Sequence, residues 1–358
     1  MRILCRPQRP VAKNLVQNAL DMGAKYLILT IIHTCGGLMM LYPTKLPEFR
    51  RKTKLDYIGA YLRAARAAGL YPMLYYPGDC HNHDAEETRG AVAPEITPDG
   101  CVEFFEVSVR LLDELKERYG DLIAGFWLDG RAPGHLSNLP AEIHKRFPDA
   151  VVTINSRDEF DVDDQDMGTT EFCGEDPDPA YNRAGSYRKN NLWGNCLPPQ
   201  DFNEDIPAPN GWWYQGPDTL EQPYKEDRFF LLRQMITSLG QHGMWNFAPG
   251  IGPMIDGSVP PDLRPNFDAV SDFLKWGGEA VYGTKGPAKT FFTPGWFYVR
   301  HSVGFYSVTT PIEDSDIFYV SVTEKPTKEY ALFETSGHEP KRITDLRTGK
   351  EIPFEMWH

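Results

Sequence analysis

The fold class predicted for this chain is α/β: a parallel (β/α) barrel followed by a small C-terminal antiparallel β domain. Three observations predict it. Helical and strand-like segments alternate through the first 155 residues. The strand-like segments are near-continuous apolar runs that end in polar residues at a turn, as expected for parallel strands buried on both faces. From about residue 288 the pattern changes to short alternating strands. The expected domains are therefore 1–287, the barrel, and 288–358, the β domain.

The elements follow in order. Residues 11–22 place Val11, Leu15, Ala19 and Met22 on one helical face, with Gly23 after the end. The run KYLILTII (25–32) is a buried strand. Residues 55–68 turn Ile58, Tyr61, Leu62 and Ala65 inward and stop at Gly69. LYPMLYY (70–76) is the next strand, with Pro72 tolerated near its start. A helix over 102–118 carries Val102, Phe105, Val109 and Leu112 at helical spacing. LIAGFWLD is a strand, 139–147 a short helix and AVVTIN (150–155) the fourth strand. Residues 158–226 are rich in Asp, Asn, Pro, Gly and aromatics with little periodicity, which marks a functional loop region. A helix over 227–243, the strand MWNFAPG and a helix over 265–276 complete the first domain. The segments TFFTPGWFYVR, VGFYSVTT, DIFYVSVTE and EYALFET make the second.

Composition narrows the function. The chain has 37 basic and 50 acidic residues, a net charge of −13, and no basic tract, so nucleic acid and anionic membrane surfaces are poor partners. No run approaches about 18 apolar residues, so no membrane span is expected. The opening MRILCRPQRP holds too short an apolar run for a signal peptide. A cytoplasmic location is expected for the chain as written, and a periplasmic or secreted one if a leader lies upstream. None of the six cysteines pairs in C-x-x-C spacing. PGDCHNHDAEE (77–87) crowds Cys80, His81, His83 and Asp84, but adjacent loop residues rarely converge on one ion, so it reads as a polar loop. Phosphate-cradling glycine loops and a G-x-S-x-G elbow are missing. No metal and no cofactor are expected.

The chemistry points to carboxylates. The strand ends bring Thr30 and His33, Tyr75 and Tyr76, Asp129, and Asn155 and Arg157 to turns. In a (β/α) barrel these ends converge on one face, where chemistry sits. Asp129 either caps or braces a loop there, or it reacts. Next to Trp127 and Leu128, and near a second carboxyl, it can attack an anomeric carbon. Retaining glycosidases hold such a pair about 5–5.5 Å apart. Glu171 in MGTTEFCGED is the candidate partner, with Glu175, Asp176 and Glu204 as rivals.

Several motifs, in order, resemble the α-L-fucosidases of glycoside hydrolase family 29. GAKYLILT resembles the family's G-A-K-Y strand, and GFWLDG its W-F-D-G strand, which carries the nucleophile; that implies Asp129. INSR resembles its N-x-R, implying Asn155 and Arg157. GTTE resembles the T-x-E of the acid/base in some members, implying Glu171. GWWY resembles S-W-G-Y, implying Trp212. MWNFAPGIGPMIDGSVP and GGEAVYGT resemble the closing segments of the catalytic domain. The resemblance spans about residues 11–290. It implies a (β/α)8-like, TIM-type barrel with a C-terminal antiparallel β-sandwich domain, and retaining hydrolysis of terminal α-L-fucose from a fucosylated oligosaccharide or glycoconjugate, through a covalent intermediate and without a metal. The implied catalytic residues are Asp129 and Glu171. The implied binding residues are His33, Thr34, Tyr75, Trp127, Asn155, Arg157 and Trp212. Trp127 and Trp212 suit the apolar C5 methyl of fucose.

Three departures stand out. IIHTCGG keeps His33 but has Thr34 and Cys35 where the family has His and Asp. Gly194 stands where other members have the Glu of W-E. The family's first strand precedes the start of this chain; either the natural start lies upstream or the barrel compensates for an open edge. A different sugar specificity, or a carbohydrate-binding protein without turnover, stays open on these grounds. So does oligomeric state.

Overall fold

The computed structural model describes residues 8–33, 39–77, 101–129, 138–155, 164, 166–169, 194–197, 228–242, 246–249, 253–254, 256–261, 263–285, 306–312, 316–322 and 339–356. Packing divides the chain into two units: Met1–Tyr224 with Asn246–Asp262, and Lys225–Trp245 with Leu263–His358.

In the first unit, helix α1 (Gln8–Asp21) leads to strand β1 (Tyr26–Thr30). Helix α2 (Tyr57–Ala67) begins at Asp56, whose carboxylate accepts a hydrogen bond from the Gly59 amide at 2.7 Å. This cap satisfies one of the orphan amides of the first turn. Strand β2 (Tyr71–Pro77), helix α3 (Cys101–Tyr119), strand β3 (Gly125–Asp129), helix α4 (Leu139–Arg146) and strand β4 (Val151–Asn155) follow. The alternation read from the sequence is therefore present, with ends shifted by a few residues. Two further strands, β5 (Met167–Thr169) and β6 (Gly194–Leu197), lie in the stretch read as irregular. They are three and four residues long, and each holds a glycine, so neither displays a period in the sequence. Strand β7 (Asn246–Pro249) pairs with β6 in parallel.

Strands β1 to β5 form one parallel sheet in chain order. Among the described residues, no ladder joins this sheet to the β6–β7 pair. Pro72 is accommodated because it sits before β3 begins: the register pairs Met73 with Gly125, and the Pro72 carbonyl still accepts from the Ala124 amide at 2.8 Å. Gly125 permits close strand packing; a Cβ there would lie 2.4 Å from the Val151 carbonyl oxygen.

Successive side chains of a strand point to opposite faces. Leu74 and Tyr76, Phe126 and Leu128, and Val152 and Ile154 join one apolar core with Ile58, Leu62 and Ala65 of α2, Val107, Leu111 and Leu115 of α3, and Leu139 and Ile143 of α4. These three helices thus cover the same face. Met73, Trp127 and Thr153 are also buried, but lie outside that core, at the alternate positions.

The 39–56 connection is tied to α3 by the buried Glu114 carboxylate. It accepts hydrogen bonds from the Thr44 hydroxyl, from the Lys45 amide at 2.8 Å and from Arg118 Nε at 2.9 Å. Helix α1 is tied to the far end of the unit: Asn14 and Asn18 donate to the carbonyls of Asp256 and Gly257, both at 2.8 Å. Gly257 has φ 83°, and a Cβ there would meet the Val11 carbonyl at 2.6 Å.

In the second unit, α5 (Phe230–His242) and α6 (Arg264–Gly277) bury Leu231, Met235, Leu239, Phe267, Val270 and Phe273. The Asn266 side chain is buried and accepts from the Leu231 amide at 3.2 Å. Strands β8 (Thr284–Lys285), β9 (Tyr306–Pro311) and β10 (Tyr319–Val322) form an antiparallel sheet in the order β10-β9-β8. This is the antiparallel C-terminal pattern read from the sequence; TFFTPGWFYVR and EYALFET lie outside the described residues. The unit gathers α5 and α6 with the C-terminal strands.

Candidate active site

The carboxyl ends of the five strands form a row. The registers pair Thr30 with Tyr75, Pro77 with Asp129, Asp129 with Asn155, and Asn155 with Thr169. The helix-covered face is filled with apolar side chains. Tyr75, Trp127 and Asp129 occupy the other face by the two-residue alternation of β2 and β3. Tyr75 and Tyr76 show the alternation at neighbouring positions. The Tyr76 hydroxyl pairs with Ser108 Oγ at 2.8 Å inside the helical layer, and burial pushes its pKa well up. The Tyr75 hydroxyl instead donates to Asp129 Oδ2 at 2.5 Å. These two residues are 54 positions apart in sequence.

His33 follows β1, and its ring lies 5.3 Å from the Tyr75 ring at an angle of 31°. The backbone beneath is locked, since the Ile31 amide donates to the Tyr75 carbonyl at 3.1 Å. Asp129 is partly buried. Trp127, one alternation deeper in the strand, is 5% exposed. Thr153 lies opposite Trp127, fully buried, and its hydroxyl has no hydrogen-bond partner among the described residues.

Of the residues expected from the sequence, the structure thus brings together His33, Tyr75 and Asp129 by contact. Trp127 lies on the same strand, and Asn155 is fixed opposite Asp129 by backbone register. Thr34, Arg157, Glu171 and Trp212 lie outside the described residues, as do Cys35 and the 77–87 loop. Sequence reasoning did not single out Thr153. Its only sequence signal is that it stands two residues before Asn155 in the same strand. A carboxylate held by a phenol at the mouth of a parallel sheet, with a buried indole and an imidazole close by, suits a polar ring substrate with an apolar side.

The sequence matches the family model described as Alpha-L-fucosidase over residues 6–279. The chain belongs to the α-L-fucosidase family. By that membership it is a glycoside hydrolase. Solved structures of α-L-fucosidases share its fold. One, from Bacteroides thetaiotaomicron, is a glycoside hydrolase family 29 enzyme trapped as a covalent intermediate with 2-fluoro-fucosyl fluoride. It is 19% identical, with a TM-score of 0.67 over 98% of this chain and 78% of that one. The Thermotoga maritima α-fucosidase in complex with fucose is 19% identical, with a TM-score of 0.66 over 97% and 73%. α-L-Fucosidase isoenzyme 1 from Paenibacillus thiaminolyticus is 16% identical, with a TM-score of 0.66 over 98% and 80%. Comparison with curated proteins finds no match. Among the described residues of this α-L-fucosidase family member, no helix is long and apolar enough to cross a membrane.

Proposed function

We propose that this glycoside hydrolase releases terminal α-L-fucose from a fucosylated oligosaccharide or glycoconjugate, with retention of configuration. Asp129 is the nucleophile and Glu171 the acid/base. The observation that carries the reading is Asp129 itself. It ends β3 on the face away from the helices, bonded to Tyr75 and flanked by the strand-end residues, in a chain of the α-L-fucosidase family.

Supporting geometry comes from the register. Asp129, Asn155 and Thr169 are successive neighbours across β3, β4 and β5. Two ladder steps of about 4.8 Å separate the Cα atoms of Asp129 and Thr169 by roughly 10 Å. Glu171 follows Thr169 by two positions in the sequence, and a retaining pair needs its carboxyl groups about 5–5.5 Å apart. His33, Thr34, Asn155 and Arg157 are assigned to sugar hydroxyls. Trp127 and Trp212 are assigned to the apolar wall. Tyr75 completes the pocket.

The same reading includes a barrel. Strands in chain order, with α2, α3 and α4 all on one face, leave a second face that is also buried. A sheet of that kind covers its second face by curling onto itself. We assign 1–287 to a (β/α)8-like catalytic barrel and 288–358 to a C-terminal β-sandwich. The family match, ending at residue 279, supports this boundary.

The test is hydrolysis of an activated aryl α-L-fucoside, set beside a panel of other aryl glycosides. Wild type is expected to cleave the fucoside and to release the α-anomer first, as read by NMR. Asp129→Gly is expected to lose on the order of 10⁴-fold in kcat and to recover with azide, giving the fucosyl azide of inverted configuration. Glu171→Ala is expected to lose most on substrates with poor leaving groups. Full activity in Asp129→Gly overturns the nucleophile assignment; turnover of another glycoside alone overturns the sugar.

A further inference from the structure

We propose that Tyr75 is a positioning residue for the nucleophile, whose phenol directs attack to Oδ1 of Asp129 by occupying Oδ2 and then speeds release of the sugar from Asp129. The inference rests on Asp129 being the nucleophile. It assigns to Tyr75 a role on the enzyme's own carboxylate rather than on the sugar.

The geometry comes first. The Tyr75 hydroxyl lies 2.5 Å from Asp129 Oδ2, at the short end for a bond from a hydroxyl to a carboxylate. Both residues are on adjacent parallel strands, one at each side of a fixed register. The Tyr75 ring is held on its flank by His33 at 5.3 Å. Its carbonyl is held by the Ile31 amide. The phenol therefore cannot follow the carboxylate freely, and the carboxylate is oriented by it. Among the described residues, the imidazole of His33, after β1, lies beside this pair, and Asn155 stands opposite Asp129 in the backbone register of β3 and β4.

The chemistry follows from charge. In the first step a lone pair of Oδ1 forms a bond to the anomeric carbon. The bond from that carbon to the aglycone oxygen breaks, its electron pair goes to that oxygen, and the oxygen takes the proton of the Glu171 carboxyl. Asp129 passes from an anion to a neutral ester. In the second step a water oxygen bonds to the anomeric carbon, its proton goes to Glu171, and the pair of the carbon–Oδ1 bond returns to Asp129. A hydrogen bond to an ionised acceptor is about twice as strong as one to a neutral acceptor. The Tyr75 bond therefore weakens as the ester forms and strengthens as the carboxylate leaves. It favours the second step over the first.

Tyr75→Phe keeps the ring against His33 and removes only the hydroxyl. With an activated aryl α-L-fucoside and rapid mixing, the variant is expected to show a burst of aryl alcohol equal to the enzyme concentration. A steady rate tenfold to a hundredfold below wild type should follow. KM should fall in parallel with kcat, leaving kcat/KM within a few fold, and intact mass should show the fucosyl adduct. A rise in KM at unchanged kcat overturns the proposal, because it means that Tyr75 touches the sugar alone. A second readout needs no turnover. The carboxylate stretch of Asp129, isolated as the infrared difference between wild type and Asp129→Asn, should shift in Tyr75→Phe. It should shift the opposite way when Tyr75 is replaced by 3-fluorotyrosine, a stronger donor of similar size. An unmoved band overturns the proposal. If the wild type cleaves no fucoside, the sugar assignment falls by itself and the band still decides whether Tyr75 holds Asp129.

Discussion

One face of the β1–β5 sheet carries Leu74, Phe126, Leu128, Val152 and Ile154 into an apolar layer with α2, α3 and α4. The other carries Met73, Trp127 and Thr153, equally hidden from solvent, beside the Tyr75–Asp129 pair. On the first face the buried hydroxyls are matched among the described residues: the Tyr76 hydroxyl has Ser108, and Tyr61 donates to backbone carbonyls of Leu27 and Met73, while the carboxylate oxygen Oε2 of Glu48, beside α3, is not. On the second, the Thr153 hydroxyl has no partner among the described residues. Burial alone therefore does not distinguish a face that holds the molecule together from one built for chemistry. The matching of the sheet's buried hydroxyls separates the two faces here, because a buried unpaired hydroxyl costs stability.

This contrast can be broken in three ways beyond the substitutions at Asp129, Glu171 and Tyr75. The largest effect is expected from Phe126→Ala, which empties a site in the helix-facing core where Phe126 packs 5.2 Å from Phe147. It should cost about 3–5 kcal/mol in chemical denaturation, while activity per folded molecule stays near wild type. A selective loss of activity at unchanged stability would erase the distinction between the faces.

The second effect is on alkaline stability. Burial pushes the phenols of Tyr42, Tyr61 and Tyr76 well above their ordinary value. In the unfolded chain they titrate near 10. Below that pH they are neutral in both states, and their contribution is fully present. Above it the unfolded chain releases protons that the native chain keeps. Stability then falls by about 1.4 kcal/mol per buried phenol per pH unit, until the folded values are reached. Tyrosinate absorbance near 295 nm should accordingly complete only in step with the loss of circular dichroism. Full ionisation of the folded protein would sink this reading.

The smallest effect sharpens the other face. Thr153→Val removes the orphan hydroxyl at nearly constant volume, and should raise stability by about 1 kcal/mol. A lower melting temperature would mean that the hydroxyl is satisfied and that the two faces are matched alike.

Much of this was legible before the structure. The helices and strands of the first 155 residues carry their period, their glycine stops and their polar ends openly, because each is a local pattern of one element. Asp129 was legible for the same reason: an apolar strand that ends in an acid before a glycine places that acid at a strand mouth. Strands β5 and β6 were not legible, since three or four residues with a glycine carry no period. The partners of Glu114 were hidden as well. Thr44 and Lys45 lie about 70 residues before it, and nothing in either segment announces the other.

By itself, then, the sequence determined the helices and strands of the first 155 residues, which family the chain joins, and that a carboxylate stands at the end of β3. Only the tertiary structure decided which groups meet that carboxylate. Tyr75 and Tyr76 are neighbours of the same type, yet one reaches Asp129 and the other Ser108. The pleat sends them to opposite faces, and the register of β2 on β3 selects their partners. A pleat is a local property that a sequence displays. A register is a pairing between distant segments, settled only when the whole sheet packs.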